Sequence, residues 1–306
     1  MTINNLFQDS TLFEVEKVKP ISLADKFIVP PFSVLDRRNG DWQNRRRRWM
    51  QLGIKSEIGR GENLAFKGQD TLNDITEDSK QGTSIFDPVT CEVALRWFSA
   101  VGDKVIDPFA GGSVRGVVAS HLERHYVGYD LRQEQVDSNI DQIELTNNGF
   151  APKWHQGDAT TADFGSGFDM VFTCPPYADL EVYSNDPSDL STMDYADFIG
   201  AYQKALENAV SSLKEDRFIV IVIGDARTKK GDGHYYGLVS DTIQIMKAGL
   251  GCELYNDLII VDPVGTLAVR SERQMRASRK VGRGHQQMLV FVKGNGRKAS
   301  EHCGEI

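Results

Sequence analysis

Cysteine is scarce in this sequence, and its placement excludes two kinds of site. No C-x-x-C pair is present, and the cysteines stand far apart, at Cys91, Cys174, Cys252 and Cys303. Zinc sites need closely spaced ligand pairs, and disulfide frameworks are typical of short secreted chains. The cysteine pattern therefore favours a protein of a reducing cytoplasm.

Long apolar runs are also absent. The longest, such as Phe218–Gly224 and Leu258–Val261, are far shorter than the roughly 20 residues that cross a bilayer. The first residues, MTINNLFQDSTLFEVEK, lack the basic-then-apolar order of a signal peptide. We therefore expect neither secretion nor a membrane partner. Charged residues make up 25% and hydrophobic residues 40% of the 306 residues, as in an ordinary globular protein.

Net positive charge is missing from the chain as a whole, since the formal net charge is -8. Positive charge is instead concentrated in an N-terminal basic segment (residues 37–60, an excess of six) and a C-terminal basic segment (residues 270–285, an excess of five). A charge run alone is most often a solvated face, but two such segments would suit a cleft for a polyanion. The candidate phosphate-binding residues are Arg45, Arg46, Arg47, Arg48, Arg270, Arg273, Arg276, Arg279, Lys280 and Arg283.

Residues 83–294 have the alternating pattern of an α/β domain. Apolar runs of strand length alternate with stretches of helix length, which predicts a doubly wound, mostly parallel sheet of seven strands. Residues 1–82 are polar and weakly periodic, so we expect an irregular N-terminal extension with a short helix near residues 40–52. Residues 295–306 are interpreted as a flexible C-terminal tail, and residues 262–286 as a loop between the last two strands.

A Gly-rich turn follows the first strand of this domain, in VIDPFAGGSVRG (105–116). Its small residues let the backbone approach a ligand, and the helix that follows offers unpaired N–H groups. The turn lacks the G-x-G-x-x-G phosphate fingerprint and has an acidic residue that would repel a pyrophosphate. It therefore suits a cationic or hydroxyl-bearing cofactor. The candidate binding residues are Asp107, Pro108, Phe109, Ala110, Gly111 and Gly112.

Two more carboxylates close the next strands. Asp130 ends YVGYDL, and Asp158 follows a weak third strand in HQGDAT. A carboxylate at the end of the second strand can accept both hydroxyls of a ribose, and one after the third strand can accept the amino group of an adenine. Each alone is more often a turn residue. Three at successive strand ends predict a nucleoside cradle, to which we add the neighbouring Leu131 and Ala159.

The segment FTCPPYADLEVYS (172–184) follows the fourth strand with two prolines and an aromatic residue. A Pro-Pro pair stiffens the backbone and withholds two N–H donors, so carbonyl groups are left to accept hydrogen bonds. Tyr177 offers a flat face for stacking. A carbonyl acceptor beside an aromatic ring suits an aromatic substrate that has an amino group.

These motifs resemble those of the DNA amino-methyltransferases, which methylate adenine N6 or cytosine N4. DPFAGG is similar to the family's cofactor motif D-P-F-x-G-x-G, and TCPPY to its catalytic motif D/N/S-P-P-Y/F/W. SIFDPVTCEVALRWF (84–98) resembles the helix before the cofactor strand, and RKVGRGHQQMLVFVKG (279–294) resembles the last strand. The resemblance covers residues 83–294, in a phage-type or bacterial variety of the family.

The resemblance implies a class I, Rossmann-like methyltransferase fold with one antiparallel strand, S-adenosylmethionine as the cofactor and DNA as the partner. It implies that the target base is flipped out of the duplex and that no metal is required. Residues 1–82, which include the N-terminal basic segment, are a candidate DNA-contacting segment. It places Asp87 and Pro88 at the methionine end of the cofactor. The implied catalytic residues are Cys174, Pro175, Pro176 and Tyr177.

The sequence departs from the family's motifs at two positions. Ser113 stands where the cofactor motif has its last glycine, and Cys174 stands where the catalytic motif has Asp, Asn or Ser. A thiol is a weak hydrogen-bond acceptor, closest in size to the hydroxyl of Ser, which leans toward cytosine. The motif order leans toward adenine, so the target base is left open.

Other functions fit the same residues. The alternatives are an RNA base methyltransferase, a DNA-modifying transferase that uses an altered cofactor, and a catalytically weak relative that only binds DNA. The sequence also leaves open the recognition site, a partner nuclease, and the choice between a monomer and a homodimer. We expect action in the cytoplasm of a bacterial or phage-infected cell.

Overall fold

The computed structural model describes residues 22–55, 85–177, 188–228, 233–265 and 267–306. The chain divides into two compact units, residues 1–31 and residues 32–306. In the first unit, the helix α1 (Leu23–Phe27) begins with a capping box. Ser22 Oγ accepts from the backbone N–H of Asp25 at 3.1 Å, and the carboxylate of Asp25 accepts from the backbone N–H of Ser22.

The second unit is built on one eight-stranded sheet. Its strands are β1 (Val34–Asp36), β2 (Lys104–Asp107), β3 (His125–Asp130), β4 (Lys153–Gln156), β5 (Phe168–Thr173), β6 (Leu213–Ile223), β7 (Glu253–Val261) and β8 (His285–Lys293). Their order across the sheet is β1-β7-β8-β6-β5-β2-β3-β4. Strand β8 runs antiparallel to both of its neighbours, and the other neighbouring pairs are parallel. This confirms the predicted doubly wound, mostly parallel sheet with one antiparallel strand.

The eighth strand, β1, corrects the expectation that residues 1–82 are an irregular extension. Val34 lies opposite Ile259 of β7, and the next residue, Leu35, is buried. The helix α2 (Gly40–Met50), predicted near residues 40–52, packs against α3 (Pro88–Phe98). Residues 32–55 are therefore part of the main unit, and the boundary lies after Pro31 rather than after residue 82. The rest of the predicted extension, residues 1–21 and 56–82, lies outside the described residues.

Helices cover both faces of the sheet. The remaining helices are α4 (Val114–His121), α5 (Gln133–Ile140), α6 (Tyr195–Ser212), α7 (Leu238–Gln244), α8 (Leu267–Ser278) and α9 (Gly296–Cys303). Helix α6 shares a buried apolar cluster with Ile219 of β6. The neighbouring Phe218 points to the other face, where its ring lies 5.4 Å from Phe98 of α3. The second half of β6, Phe218–Ile223, is covered on both sides, and accordingly it is a continuous apolar run.

Two segments that were expected to be irregular contain helices. The loop predicted over residues 262–286 includes α8. The predicted flexible tail forms α9, in which Ala299 is fully buried and His302 Nε2 lies 2.8 Å from Asp103 Oδ1. Asn295 caps α9 by accepting from the backbone N–H of Lys298 at 3.1 Å. In the part of the chain that is described, each helix is too short or too polar to cross a membrane.

Candidate active site

The turns at the carboxyl ends of β2, β3, β4 and β5 open onto one cleft of about 1400 Å³, a volume that includes space open to solvent. Predicted residues from five separate parts of the sequence meet there. The predicted site residues that line it are Asp87, Pro108, Phe109, Ala110, Gly111, Gly112, Asp130, Leu131, Asp158, Ala159, Cys174, Pro175, Pro176 and Tyr177. Two residues of the predicted site, Pro88 and Asp107, are absent from this lining.

Asp107 lies beneath the cleft and is fully buried. Its Oδ1 accepts from Thr173 Oγ1 at 2.7 Å and from the backbone N–H of Phe109 at 3.1 Å. Its Oδ2 accepts from Tyr126 OH at 2.7 Å and from Arg115 Nε at 2.5 Å. With both oxygens held by the protein, Asp107 fixes the Gly-rich turn rather than facing the ligand as the sequence analysis expected.

Arg115, on the first turn of α4, was missed by the sequence analysis. Besides Asp107, its guanidinium donates to the backbone carbonyls of Phe109 at 2.6 Å and Ala110 at 2.9 Å, and it lies 4.7 Å from the ring centre of Phe86. Burial lowers the pKa of Arg115, but the carboxylate of Asp107 and the neighbouring Tyr126 and Cys174 together raise it above its ordinary value. The guanidinium is therefore charged and holds the turn from below. The only signal in the sequence is one Arg in an otherwise apolar helix, VRGVVAS.

Asp130 closes β3 at the edge of the cleft. Its Oδ2 accepts from the backbone N–H of Gly111 at 3.1 Å, and its Oδ1 from that of Arg132 at 2.9 Å. Each oxygen thus has acceptor capacity beyond these bonds. Burial raises the pKa of Asp130, while the N–H groups of Arg132 and Gly111 oppose the rise. Gly111 has a φ of 50°, and a Cβ built on it would stand in open space, so the turn leaves room for a ligand.

Asp158 lies at the turn after β4, in the same cleft. Its Oδ1 accepts from the backbone N–H of Thr160 at 2.8 Å. The start of this turn is joined to β3, because the backbone N–H of Gly157 donates to the carbonyl of Asp130 at 2.9 Å. The two carboxylates are therefore held at neighbouring strand ends, as the sequence predicted for a nucleoside cradle.

Asp87, at the start of α3, is held by residues of the N-terminal basic segment. Its Oδ1 accepts from Trp42 Nε1 at 3.2 Å, and its Oδ2 lies 3.3 Å from Arg37 Nη2 and 3.6 Å from Arg46 Nε. Arg37 also donates to Asp262 Oδ1 at 2.6 Å and lines the cleft. Asp87 therefore joins α2 to the cleft, a role that its motif did not indicate.

The predicted catalytic segment, Cys174–Tyr177, follows β5 directly. Tyr177 packs against the end of β6: a Cβ built on Gly224 would stand 3.4 Å from the hydroxyl oxygen of Tyr177 and 3.7 Å from Cγ of Gln286. Tyr177 and Gln286 therefore both lie beside Gly224, at the end of β6. The rest of FTCPPYADLEVYS, residues 178–184, lies outside the described residues.

The cleft extends beyond the predicted residues toward the antiparallel strand. Val222 of β6, Ile260 of β7 and Gln286 of β8 line it on the side of Tyr177. Gln286 is partly buried, and its amide makes no hydrogen bond to any described residue. A half-buried amide of this kind can donate to and accept from a ligand. Sequence reasoning missed it because nothing in HQQMLVF distinguishes one Gln from the next.

The predicted phosphate-binding residues of the N-terminal basic segment are largely used within the protein. Arg45 binds Glu92 through two hydrogen bonds of 2.6 and 2.5 Å, and Arg46 lies 3.6 Å from Asp87. Arg47 donates to Asn44, and Arg48 is exposed. The first two arginines hold α2 against α3, and the last two remain on the surface.

The predicted phosphate-binding residues of the C-terminal basic segment lie at the edge of the sheet where the cleft opens, because this segment joins the end of β7 to the start of β8. Arg270, Arg273 and Arg276 belong to α8, and the latter two are exposed. Arg276 pairs with Glu272 on the same helix at 2.9 Å. Arg279, Lys280 and Arg283 follow α8 and precede β8.

The sheet order and the carboxylates at the ends of β3 and β4 define a class I methyltransferase. The sequence matches the N6/N4 DNA methylase family over residues 69–141 and 168–302. The chain belongs to this family. It is an enzyme, a methyltransferase that uses S-adenosylmethionine. The residues fit this cofactor: Asp130 and Asp158 offer acceptors for its hydroxyl and amino groups, and the open turn at Gly111 leaves space for it.

The chain is also similar to several solved structures. TrmN from Thermus thermophilus has a TM-score of 0.46 and 13% identity, over 68% of this chain and 49% of that one, so the chain spans about half its length. A TehB-like SAM-dependent methyltransferase from Corynebacterium glutamicum has a TM-score of 0.42 and 17% identity, over 70% and 91%. Magnesium protoporphyrin IX methyltransferase from Synechocystis, with bound SAM, has a TM-score of 0.45 and 13% identity, over 81% and 90%.

Proposed function

We propose that this enzyme methylates the exocyclic amino nitrogen of an adenine or a cytosine in DNA. The observation that carries this proposal is the position of Cys174–Tyr177. This segment stands at the end of β5, beside the cofactor turn after β2, and lines the same cleft as Asp130 and Asp158. An aromatic substrate on Tyr177 would meet the cofactor there.

The residues of the catalytic segment suit the chemistry of an amine. The lone pair of an exocyclic amino group is delocalised into its ring, so the group must be held by its N–H bonds before it can attack. The carbonyl of Pro175 and the side chain of Cys174 would accept these N–H groups. When bound, S-adenosylmethionine supplies an activated methyl group. Since the amine loses its proton after attack, positioning by the protein supplies most of the acceleration.

A base inside duplex DNA is out of reach of such a cleft. The target nucleotide would rotate out of the helix, which costs a few kcal/mol, and enter the side of the cleft lined by Tyr177 and Gln286. Stacking on Tyr177 would offset part of this cost and ease the positive charge that develops on the base. The choice between adenine and cytosine is left open, as Cys174 favours neither strongly.

The cysteine pattern that favours a reducing compartment supports action in the cytoplasm of a bacterial or phage-infected cell. The family match supports DNA as the partner.

Methyl transfer to three nucleic acids tests the proposal. Wild-type protein is incubated with S-adenosylmethionine that has a labelled methyl group and with duplex DNA, single-stranded DNA or RNA of matched sequence. We expect label in DNA. Label in RNA alone would replace DNA by RNA as the substrate. If calorimetry shows that the protein binds S-adenosylmethionine but no methyl group reaches any of the three, nucleic acid is not its methylation substrate. The proposal would then be wrong.

A further inference from the structure

Three cations converge around an exposed aromatic ring, on segments that leave the sheet beside the cleft. Arg227 lies with Cζ 3.9 Å from the ring centre of Tyr235, and Arg283 with Cζ 5.9 Å from the same centre. Arg227 also donates to the carbonyl of Gly233 at 3.1 Å. The ammonium of Lys280 lies beside the same glycine, where a built Cβ would stand 2.5 Å from Nζ. We name Arg227, Tyr235, Lys280 and Arg283 the rim cluster.

The rim cluster belongs to two segments that flank the catalytic side of the cleft. Residues 224–228 and 233–237 follow β6, and residues 279–284 precede β8. In the antiparallel pairing, Ile223 lies opposite Gln287, so both segments leave the sheet at the same edge. Gly224 and Gln286, at the roots of these segments, are the residues next to Tyr177. The cluster therefore stands next to the proposed position of the flipped base.

The first segment is braced so that the ring and the guanidinium are held in place. The backbone N–H of Tyr236 donates to the carbonyl of Ala226 at 2.9 Å, and that of Thr228 to the carbonyl of His234 at 2.8 Å. Asp225 Oδ1 accepts from the backbone N–H groups of Gly237 and Leu238 at 3.1 and 3.2 Å. The carboxylate of Asp225, two residues before Arg227, is thus used by the backbone.

The cations of the rim cluster have no acidic partner among the described residues. Arg283 bonds to the amide of Gln287 and to the carbonyl of His285, and Arg227 to a carbonyl. By contrast, Arg37, Arg45 and Arg46 of the N-terminal basic segment pair with carboxylates. Within the described residues, these like charges repel one another, and a bound anion would relieve the repulsion.

We propose that the rim cluster binds the phosphates that flank the flipped nucleotide. Arg227, Lys280 and Arg283 contact the backbone of the DNA strand that contains the target base, and Tyr235 orients the two guanidinium groups. This inference rests on the proposed function, because it takes DNA as the partner. Phosphate contacts of this kind fix the position and orientation of the duplex on the protein without reading its sequence.

The salt dependence of DNA binding tests the rim cluster. The affinity of the full chain for a DNA duplex is measured by fluorescence anisotropy at several salt concentrations, for wild type and for the variants Arg227→Gln, Arg283→Gln and Arg297→Gln. The last is the matched control: it removes the same charge from α9, which follows β8 at the opposite edge of the sheet, where Arg297 is exposed and pairs with Glu301. Calorimetric affinity for S-adenosylmethionine checks that each variant is folded.

We expect the slope of log K against log salt to become shallower by about 0.9 for each phosphate contact that is lost. The variants Arg227→Gln and Arg283→Gln should show this change and keep wild-type cofactor affinity, and Arg297→Gln should keep the wild-type slope. If Arg227→Gln makes the slope shallower, Arg227→Lys, which retains the charge, should keep the wild-type slope. Equal slopes for the rim variants and Arg297→Gln would overturn the proposal.

The methylation of the same duplex separates this inference from the proposed function. If wild type transfers methyl to the DNA but the slopes are equal, the rim cluster is wrong and the reaction stands. If the slopes differ as expected but no methyl is transferred, the rim cluster stands and the reaction is wrong. A wild-type protein that does not bind the duplex would overturn both.

Discussion

Thr173 Oγ1 donates a hydrogen bond of 2.7 Å to Oδ1 of Asp107, and both residues are fully buried. This bond joins the last residue of β5 to the last residue of β2. The catalytic segment begins one residue after Thr173, and the cofactor turn begins one residue after Asp107. The two halves of the active site are thus tied together beneath the cleft, by two residues that do not line it.

Thr173→Val should therefore affect positioning more than binding. The variant keeps the shape of the side chain but leaves a buried carboxylate oxygen with one donor fewer, which should lower the free energy of unfolding by about 1.5–3 kcal/mol. Urea denaturation measures this loss. We expect kcat on DNA to fall while the cofactor Kd changes little. Thr173→Ser keeps the hydroxyl and is the control. Equal kcat values for the Val and Ser variants would show that the bond between the strands does not position the catalytic segment.

Asp130 should control cofactor affinity and its pH dependence. Asp130→Ala removes an ionised hydrogen-bond acceptor, so the binding of S-adenosylmethionine should weaken by about 1–3 kcal/mol. Burial raises the pKa of this carboxyl, and only the ionised form accepts from two hydroxyls. As the pH falls, wild-type affinity should therefore begin to drop at a higher pH than an ordinary Asp would give. Calorimetry across the acid range measures both effects. Unchanged affinity in the variant would remove Asp130 from the cofactor site.

In the N-terminal basic segment, we expect some arginines to stabilise the fold and others to be dispensable for stability. Arg45→Gln breaks a two-bond contact with Glu92, whose side chain is only 3% exposed, so unfolding should become easier by about 1–3 kcal/mol. Arg48→Gln, on the exposed side of α2, should leave stability within about 0.5 kcal/mol of wild type. Thermal denaturation compares the two variants. Were Arg48→Gln the more destabilised variant, the assignment of the two side chains would be reversed.

The sequence predicted the sheet well where strands are short apolar runs between turn residues. Lys104–Asp107 was located to the residue, because Gly102 and Pro108 bound it on either side. It did not predict β1, since VLD is three residues long and its partner β7 lies more than 200 residues later in the chain. It also missed α8, because the arginines of this segment were interpreted as a basic loop between two strands.

The sequence predicted which residues stand at the ends of the strands, but not which of them are buried beneath the cleft. Asp107 and Asp130 both close strands, so both were expected to face the ligand. The structure separates them, because Tyr126, Thr173 and Arg115 converge on Asp107 from three different elements. Convergence of this kind depends on packing between distant parts of the chain, which strand-end positions alone do not reveal.

Cys174 offers a test of how the amine is held. If its side chain accepts from the amine, Cys174→Ser should preserve or raise kcat, because a hydroxyl is a better acceptor of similar size. Cys174→Val, which removes the acceptor and fills the same space, should abolish turnover. Single-turnover methyl transfer on a DNA duplex measures the step directly. Full activity of Cys174→Val would assign the thiol to packing and leave the amine to the carbonyl of Pro175.

The most direct test of the central claim is the identity of the methylated nucleoside and its dependence on Tyr177. Plasmid DNA is incubated with labelled S-adenosylmethionine and wild type, Tyr177→Ala or Tyr177→Phe, and its nucleosides are identified by mass spectrometry. We predict N6-methyladenine or N4-methylcytosine with wild type. Tyr177→Ala should be slower than wild type, because it loses a stacking energy of about 1–3 kcal/mol. Tyr177→Phe should keep most of the activity, because it keeps the ring. A methyl group on a ring carbon, or a Tyr177→Ala enzyme as fast as wild type, would contradict the assignment.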